Sequence, residues 1–229
     1  MRVLVLLFLF LFAPVCSADR NNIGIYVQNP VSDIECAKSL KRVLQKKYKV
    51  ILIKHDSLNL NTLSKIDLLA FGGGLGDSDQ FDKMLLDRKK IVNEYISNGG
   101  RYLGICMGAY FAGHYYFNIL KDADTVRYVD RENSSIFRED ETISEIIWKD
   151  KKYKMYFFDG CAITGKNFDT FATYMNGDTM AAIQGKIGLI GCHPESFKDW
   201  YLSEEMKPYW HEGKHHELLL DFVDELMRR

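Results

Sequence analysis

The chain has 229 residues, 47% hydrophobic and 13% aromatic, enough apolar material for one domain with a sizeable core. Thirty Lys and Arg stand against 31 Asp and Glu, interspersed along the chain, for a formal net charge of −1. That balance argues against nucleic acid or an anionic membrane surface as a partner, and no internal repeat, low-complexity tract or Pro/Gly/Ser-rich linker divides the chain.

Taken in order, Met1-Arg2 and the apolar run over 3–15, followed by small residues at Cys16-Ser17-Ala18, read as a secretory signal over residues 1–18, removed before Asp19. The run is too short to span a bilayer stably. The expected organisation is therefore signal peptide 1–18 and one domain over 19–229, exported to a periplasm or secreted. A lipoprotein anchor on Cys16 is the weaker alternative, because Ala13-Pro14-Val15 makes a poor lipobox.

A first strand is expected over 23–27. Ser32-Asp33-Ile34-Glu35 reads as a capping box opening a helix whose apolar positions are Ile34, Ala37, Leu40, Leu44 and Tyr48; its basic residues within 38–49 read as the wet face. Strands follow over 50–53 and 68–71, the second ending in Gly72-Gly73-Gly74. A helix is expected over 81–97, stopped by Gly99-Gly100, then a strand over 101–105 and a helix over 109–120. Asp77 and Asp79 are candidate caps for the earlier of these two helices. The second half reads as strands over 143–148, 154–158, 171–175, 181–183 and 187–191, with Gly185-Lys186 as a hairpin turn, and a closing amphipathic helix over 215–227. Alternating strand and helix implies a parallel sheet covered on both faces. The fold class is thus α/β: a flavodoxin-like three-layer sandwich with a mostly parallel sheet, extended by antiparallel strands in the C-terminal half.

Two strings carry chemistry. Gly104-Ile105-Cys106-Met107-Gly108 stands where a strand turns into a helix and has the form of a nucleophile elbow with cysteine for serine. The turn would put the thiol at a helix N-terminus, where the helix dipole and free N–H groups favour thiolate and can hold an oxyanion. Read alone, it is as well explained by a buried structural thiol in a glycine-rich bend. Gly191-Cys192-His193-Pro194-Glu195 offers an imidazole and, two residues on and facing the same way, a carboxylate to set its tautomer. Read alone, His193 is more simply a loop histidine beside an unrelated glutamate. The glycine turn 72–74 ends a parallel strand at its carboxyl edge, where ligands of such sheets bind; it lacks the Lys-Ser/Thr ending of a phosphate loop.

The remaining cysteines are less specific. Cys36 reads as a core thiol on its helix, while Cys161 and Cys192 each end an expected strand near the site and are candidates for a disulfide. His114 reads as packing. His211, His215 and His216 with Glu212 and Glu217 lack a His-Glu-x-x-His pattern, so no metal and no cofactor are expected.

The order glycine turn, Gly-x-Cys-x-Gly elbow, His-Pro-Glu resembles class I glutamine amidotransferase-like domains. Within them the closer likeness is to the domain at the N-terminus of eukaryotic biotin–protein ligases and its stand-alone bacterial versions. The residues that carry it are Phe71-Gly72-Gly73-Gly74, the stretch Tyr102-Leu103-Gly104-Ile105-Cys106-Met107-Gly108-Ala109-Tyr110-Phe111, Phe157-Phe158-Asp159-Gly160, and Gly191 to Glu195. The resemblance implies Cys106 as nucleophile, His193 as base and Glu195 as orienting acid, with oxyanion donors from Gly73 or Gly74 and Met107. Tyr110 and Asp77 are candidates for the substrate pocket. Gly72 stands where such turns usually carry proline, and Met107 where alanine is usual; neither change removes a catalytic group. No biotin-ligase catalytic domain or adenylate-binding signature is present, so biotin ligation is not expected. The expected activity is an exported cysteine-dependent amidohydrolase or acyltransferase, acting on a carboxamide of a small molecule or peptide through a thioester. The alternatives are a non-catalytic ligand-binding or regulatory module on the same fold, and a γ-glutamyl-type peptidase. Oligomeric state is not legible in the sequence.

Overall fold

A computed structural model describes residues 22–75 and 77–229. The expected signal segment 1–18, with Cys16, lies outside the described residues. Strands β1 (Asn22–Tyr26), β2 (Lys49–Ile53), β3 (Leu68–Phe71) and β4 (Arg101–Ile105) are mutually parallel in the order β2-β1-β3-β4. β11 (Ile187–Ile190) joins β4 in parallel. Beyond it the sheet turns antiparallel through β10 (Thr179–Gln184), β9 (Asp169–Tyr174), β6 (Thr142–Trp148) and β7 (Lys151–Phe157). The expected α/β architecture with an antiparallel extension is thus the one observed. β5 (Ala123–Arg127) and β8 (Cys161–Gly165) pair with each other off this path, and β8 also touches β10.

The central strands are short apolar runs because both faces are covered. Along β3, Leu68 and Ala70 join one core cluster while Leu69 and Phe71 join the other, as a period of two requires. The first cluster is closed by helices α1 (Ile34–Leu44) and α6 (His215–Arg228), through Leu40, Leu44, Leu219, Phe222 and Leu226. The second is closed by α3 (Ser78–Met84), α4 (Lys89–Ser97) and an aromatic group of Phe71, Phe81, Phe111 and Phe117. A one-turn helix, α2 (Leu60–Leu63), precedes β3, and α5 (Met107–Tyr110) follows β4. On α1, Lys38 and Arg42 face solvent, the wet face expected, and Lys46 is exposed just past the helix end. Gly185, at φ 57°, and Lys186 form the expected two-residue turn between β10 and β11, with Gln184 opposite Ile187.

Three local expectations are corrected. The cap of α1 is Asp33, whose carboxylate accepts from the N–H groups of Glu35 and Cys36 at 2.7 and 3.2 Å, whereas Ser32 Oγ donates to Tyr26 O at 2.8 Å. The helix expected over 81–97 is two helices, α3 capped by Asp77 and α4, because buried Leu85 takes φ −129° and a 3₁₀ turn follows. The helix expected over 109–120 is only the single turn α5. Beyond it the chain folds back, with Phe117 N–H donating to Phe111 O at 2.9 Å, so that the aromatic side chains gather under Phe71 rather than along a helix.

Candidate active site

Three loops leave the carboxyl edges of adjacent parallel strands: Gly72 to Gly74 after β3, Cys106 after β4, and Gly191 to Glu195 after β11. Such an edge is where open α/β sheets present ligand sites. Cys106 sits at φ 51°, ψ −112°, a strained backbone for a non-glycine residue. The elbow requires both its glycines. A Cβ on Gly104 would stand 2.3 Å from Gly108 O, and one on Gly108 would stand 2.1 Å from Phe71 O. Cys106 N–H donates to Ile190 O at 2.9 Å, tying the elbow to the end of β11. The thiol is 5% exposed and donates to Phe158 O at 3.3 Å. Because α5 is one turn long, few aligned peptide dipoles stand behind the thiol, fewer than the sequence led us to expect.

His193 and Glu195 are 2% and 0% exposed. The Nδ1–H of His193 donates to Glu195 Oε1 at 2.8 Å, and its backbone N–H donates to Tyr156 O at 3.0 Å. That fixes the neutral tautomer, leaving Nε2 as the basic nitrogen. Nε2 is buried without a hydrogen-bond partner among the described residues, as is Glu195 Oε2. Burial alone would lower the imidazole pKa; negative charge on the Cys106 sulfur, once its proton has moved to Nε2, together with that of Glu195 outweighs burial and pushes it up to about 10, which favours the imidazolium beside the ionised sulfur. The imidazole lies edge-on to Tyr156 and Trp200. It also lies against the glycine turn, where a Cβ on Gly73 would stand 2.6 Å from its Cε1. The N–H groups of Gly73, Gly74 and Met107 have no acceptor among the described residues.

Two hollows meet at this point, sharing Gly74, Leu75, Cys106 and Phe158 in their walls. One has a volume of about 650 Å³ and includes Asp77 and Met107; the other, about 330 Å³, includes His193, Tyr156 and Trp200. Asp77 thus both caps α3 and faces the larger hollow. Tyr110 is on neither wall. It is buried, and its hydroxyl donates to Asp159 O at 3.1 Å, supporting the loop that carries Phe158.

Two features were missed in the sequence. Cys36 is not merely a core thiol: its sulfur, an imidazole nitrogen of His193 and a carboxylate oxygen of Glu195 lie within 4.8 Å of one another. A topological signal was available, since the first turn of a helix following β1 lies at the same sheet edge. Burial, then the charge of Glu195, pushes the Cys36 thiol pKa far up, so it stands protonated. Thiol, imidazole and carboxylate are the ligand types of a zinc-like site, and this is the set that groups three of them among the described residues. Second, His215 and His216 both donate Nε2–H to Ser196 O, at 2.9 and 2.8 Å, so α6 clamps the turn beside Glu195. Cys161 and Cys192, the candidates for a disulfide, are buried free thiols, Cys161 in one core cluster and Cys192 in the other.

The fold is that of the glutamine amidotransferase-like proteins. A glutamine amidotransferase from Thermotoga maritima matches with a TM-score of 0.66 over 93% of this chain and 100% of its own, at 11% identity. A glutamine amido transferase from Methylobacillus flagellatus matches at 0.54 over 91% and 93%, with 6% identity. An exo-beta-1,4-mannosidase from an Opitutaceae bacterium matches at 0.56 over 88% of this chain but 36% of its own, with 13% identity. In sequence, residues 22–127 match the family described as "Biotin-protein ligase, N terminal", the family that the motifs resemble. That match includes the glycine turn and the Cys106 elbow and ends before His193 and Glu195. No curated protein matches the chain in sequence.

Proposed function

We propose that this chain is a cysteine-dependent amidohydrolase or acyltransferase acting on a carboxamide. The observation that carries the reading is the buried His193, with Nδ1 held by Glu195 and Nε2 left without a partner beside the elbow thiol. In the proposed sequence Nε2 takes the proton of Cys106, whose sulfur adds to the carboxamide carbon. The oxyanion is received by the N–H of Met107 with that of Gly73 or Gly74. Nε2 returns the proton to the nitrogen as the C–N bond breaks, releasing an amine and leaving a thioester. Water, or an acceptor amine, then loses a proton to Nε2 and adds to the thioester; the C–S bond breaks and the thiol is restored. Glu195 orients the imidazole and stabilises its cationic form throughout. We further propose export, with residues 1–18 removed; a protein recovered from the envelope or medium should begin at Asp19, and recovery with residues 1–18 attached would overturn that.

A second reading, a ligand-binding module on the same fold, is favoured by one observation: the thiol donates to Phe158 O, a bond that must break before Nε2 can take its proton. The two separate by intact-protein mass spectrometry after treatment with an amide-mimicking electrophile. On the enzymatic reading the wild type gains one adduct mapped to Cys106, and Cys106→Ala gains none there. His193→Ala gains it more slowly at neutral pH, with thermal melts confirming that each variant folds. Equal labelling of wild type and Cys106→Ala would exclude the nucleophile. A panel of simple and γ-glutamyl amides then separates a general amidohydrolase from a γ-glutamyl peptidase.

A further inference from the structure

Acidic and basic residues nearly balance over the whole chain, but not at the junction where Cys106 lies. Asp77, Glu139, Asp140 and Asp159 are in the wall of the larger hollow. Asp33, Glu35, Glu141 and Asp199 are in the wall of the smaller one. Among the described residues no Lys or Arg lines either. Some of this charge is compensated from behind. Arg127 pairs with Asp159 and Glu139, Arg138 with Asp140, and Lys38 with Glu35. Asp33 and Asp77 cap α1 and α3. Glu141 and Asp199, both exposed, have no Lys or Arg partner among the described residues, and both stand in the smaller hollow.

The same hollow holds Tyr156, Phe158 and Trp200, with Tyr156 and Trp200 edge to face at 5.2 Å. Glu141 is held at this rim by a hydrogen bond from the Tyr156 side chain. Carboxylates without a Lys or Arg partner, set over aromatic rings, are surroundings in which an ammonium or guanidinium binds well. The acidic rim is not free-standing, because the buried, unpartnered His193 Nε2 belongs to the same wall. A volume of about 330 Å³ suits a small organic group.

We propose that the site selects amides carrying a cationic group, seated in the smaller hollow against Glu141, Asp199 and the Trp200 ring while the scissile carbonyl meets Cys106. The substrate class this deepens rests on the amidohydrolase reading, but its electrostatic core can be tested apart from it. The first experiment measures the rate at which Cys106 is modified by a trimethylammonium methanethiosulfonate and by its sulfonate counterpart. In each case sulfur displaces sulfinate and forms a mixed disulfide. The ratio is normalised to that of a small free thiol, and the modified peptide is mapped to distinguish Cys106 from Cys36. We expect the cationic reagent to be favoured by about tenfold, less at about 0.5 M salt, where exposed charges are screened. We also expect the preference to fall several-fold in Glu141→Gln/Asp199→Asn, with each single variant intermediate. A normalised ratio near unity, a ratio untouched by the double variant in a folded protein, or no modification of Cys106 by either reagent would overturn the inference.

The second experiment compares kcat/KM for amides of one skeleton ending in an ammonium, its N-acetylated neutral form and a carboxylate. The expected order is cationic above neutral above anionic; neutral equal to or above cationic refutes the proposed substrate class. If the reagent ratio behaves as expected while no amide is turned over, the amidohydrolase reading fails and the cation-selective hollow stands as a binding site.

Discussion

Gly73→Ala tests whether the glycine turn, the imidazole and the thiol act as a unit. The Cβ would stand 2.6 Å from His193 Cε1 and 3.1 Å from Cys36 Sγ. The Cys36 side chain can yield by rotation, but the imidazole is part of a rigid ring. That ring is held by Glu195 at 2.8 Å and, through its own backbone, by Tyr156. It must retreat by about 0.8 Å to reach ordinary contact at 3.4 Å. Displacement of a catalytic group by about 1 Å lowers turnover by about 10²-fold. Overpacking of this kind costs about 1–3 kcal/mol, offset in part by about 0.4–1 kcal/mol from the less flexible unfolded chain, since Gly73 does not use a positive φ. The protein should therefore still fold, melting only a few degrees lower. Gly74→Ala is the control: its Cβ meets backbone atoms of Pro30 and Val31 at 2.7 Å, which cannot rotate away, so stability should fall further there. The assay is the alkylation rate of Cys106 together with kcat on a competent amide and a thermal melt. A folded Gly73→Ala protein with wild-type alkylation and turnover would show that the imidazole position set by this turn is irrelevant to the thiol.

Three further outcomes follow from the same geometry. Glu195→Gln removes the charge that holds Nδ1 and should reduce turnover by about 10²–10⁴-fold with KM little changed, measured by steady-state kinetics; a drop confined to KM would contradict an orienting role. Burial holds the His215 pKa down to about 4, against 6.5 in the ordinary state, although its bond to Ser196 O opposes this. The unfolded chain therefore binds more protons, and stability that is full above about pH 6.5 is lost as pH falls towards 4. Denaturant titrations at the two ends of that window should show His215→Gln losing less stability on acidification than wild type; parallel losses would be the contrary result. Finally, iodoacetamide at neutral pH should modify Cys106 before Cys36, whose thiol is kept protonated by burial and by Glu195, and peptide mapping that finds Cys36 modified first would reverse the assignment.

What was legible in the sequence is what local chemistry determines. β3 and β4 read correctly because strands buried on both faces are short apolar runs, and the glycines at 74, 104 and 108 marked where backbone passes close to backbone. β5 did not, because Ala123–Arg127 is half-buried along its whole length and shows no alternation. The break after α5 was hidden because Ala109, Phe111, Ala112 and Phe117 mimic helical spacing while satisfying an aromatic cluster contributed by β3 and α3. Cys36 was hidden for a different reason. A thiol on the buried side of a helix looks the same in sequence whether it faces leucines or Glu195, and only the position of α1 after β1 distinguishes the two.

The pairing of Cys106 with His193 is the least local feature of all, and it depends on one ladder. β11 lies parallel to β4 with Ile190 opposite Ile105, so both strands end together and their next residues emerge at one edge. Side-chain facing in a strand has a period of two, so a one-residue slip would turn His193 away from the thiol. Two glycines guard that register. A Cβ on Gly191 would stand 2.1 Å from Cys161 O and 2.4 Å from the Tyr174 hydroxyl, and one on Gly160 would stand 2.1 Å from Gly191 O. The Tyr174 hydroxyl donates to Cys161 O at 2.7 Å across the same crossing, and Gly191 N–H donates to Met180 O at 2.8 Å. The antiparallel half of the sheet therefore does more than extend the fold: β8, β9 and β10 together fix where β11 ends, and hence where the imidazole is delivered.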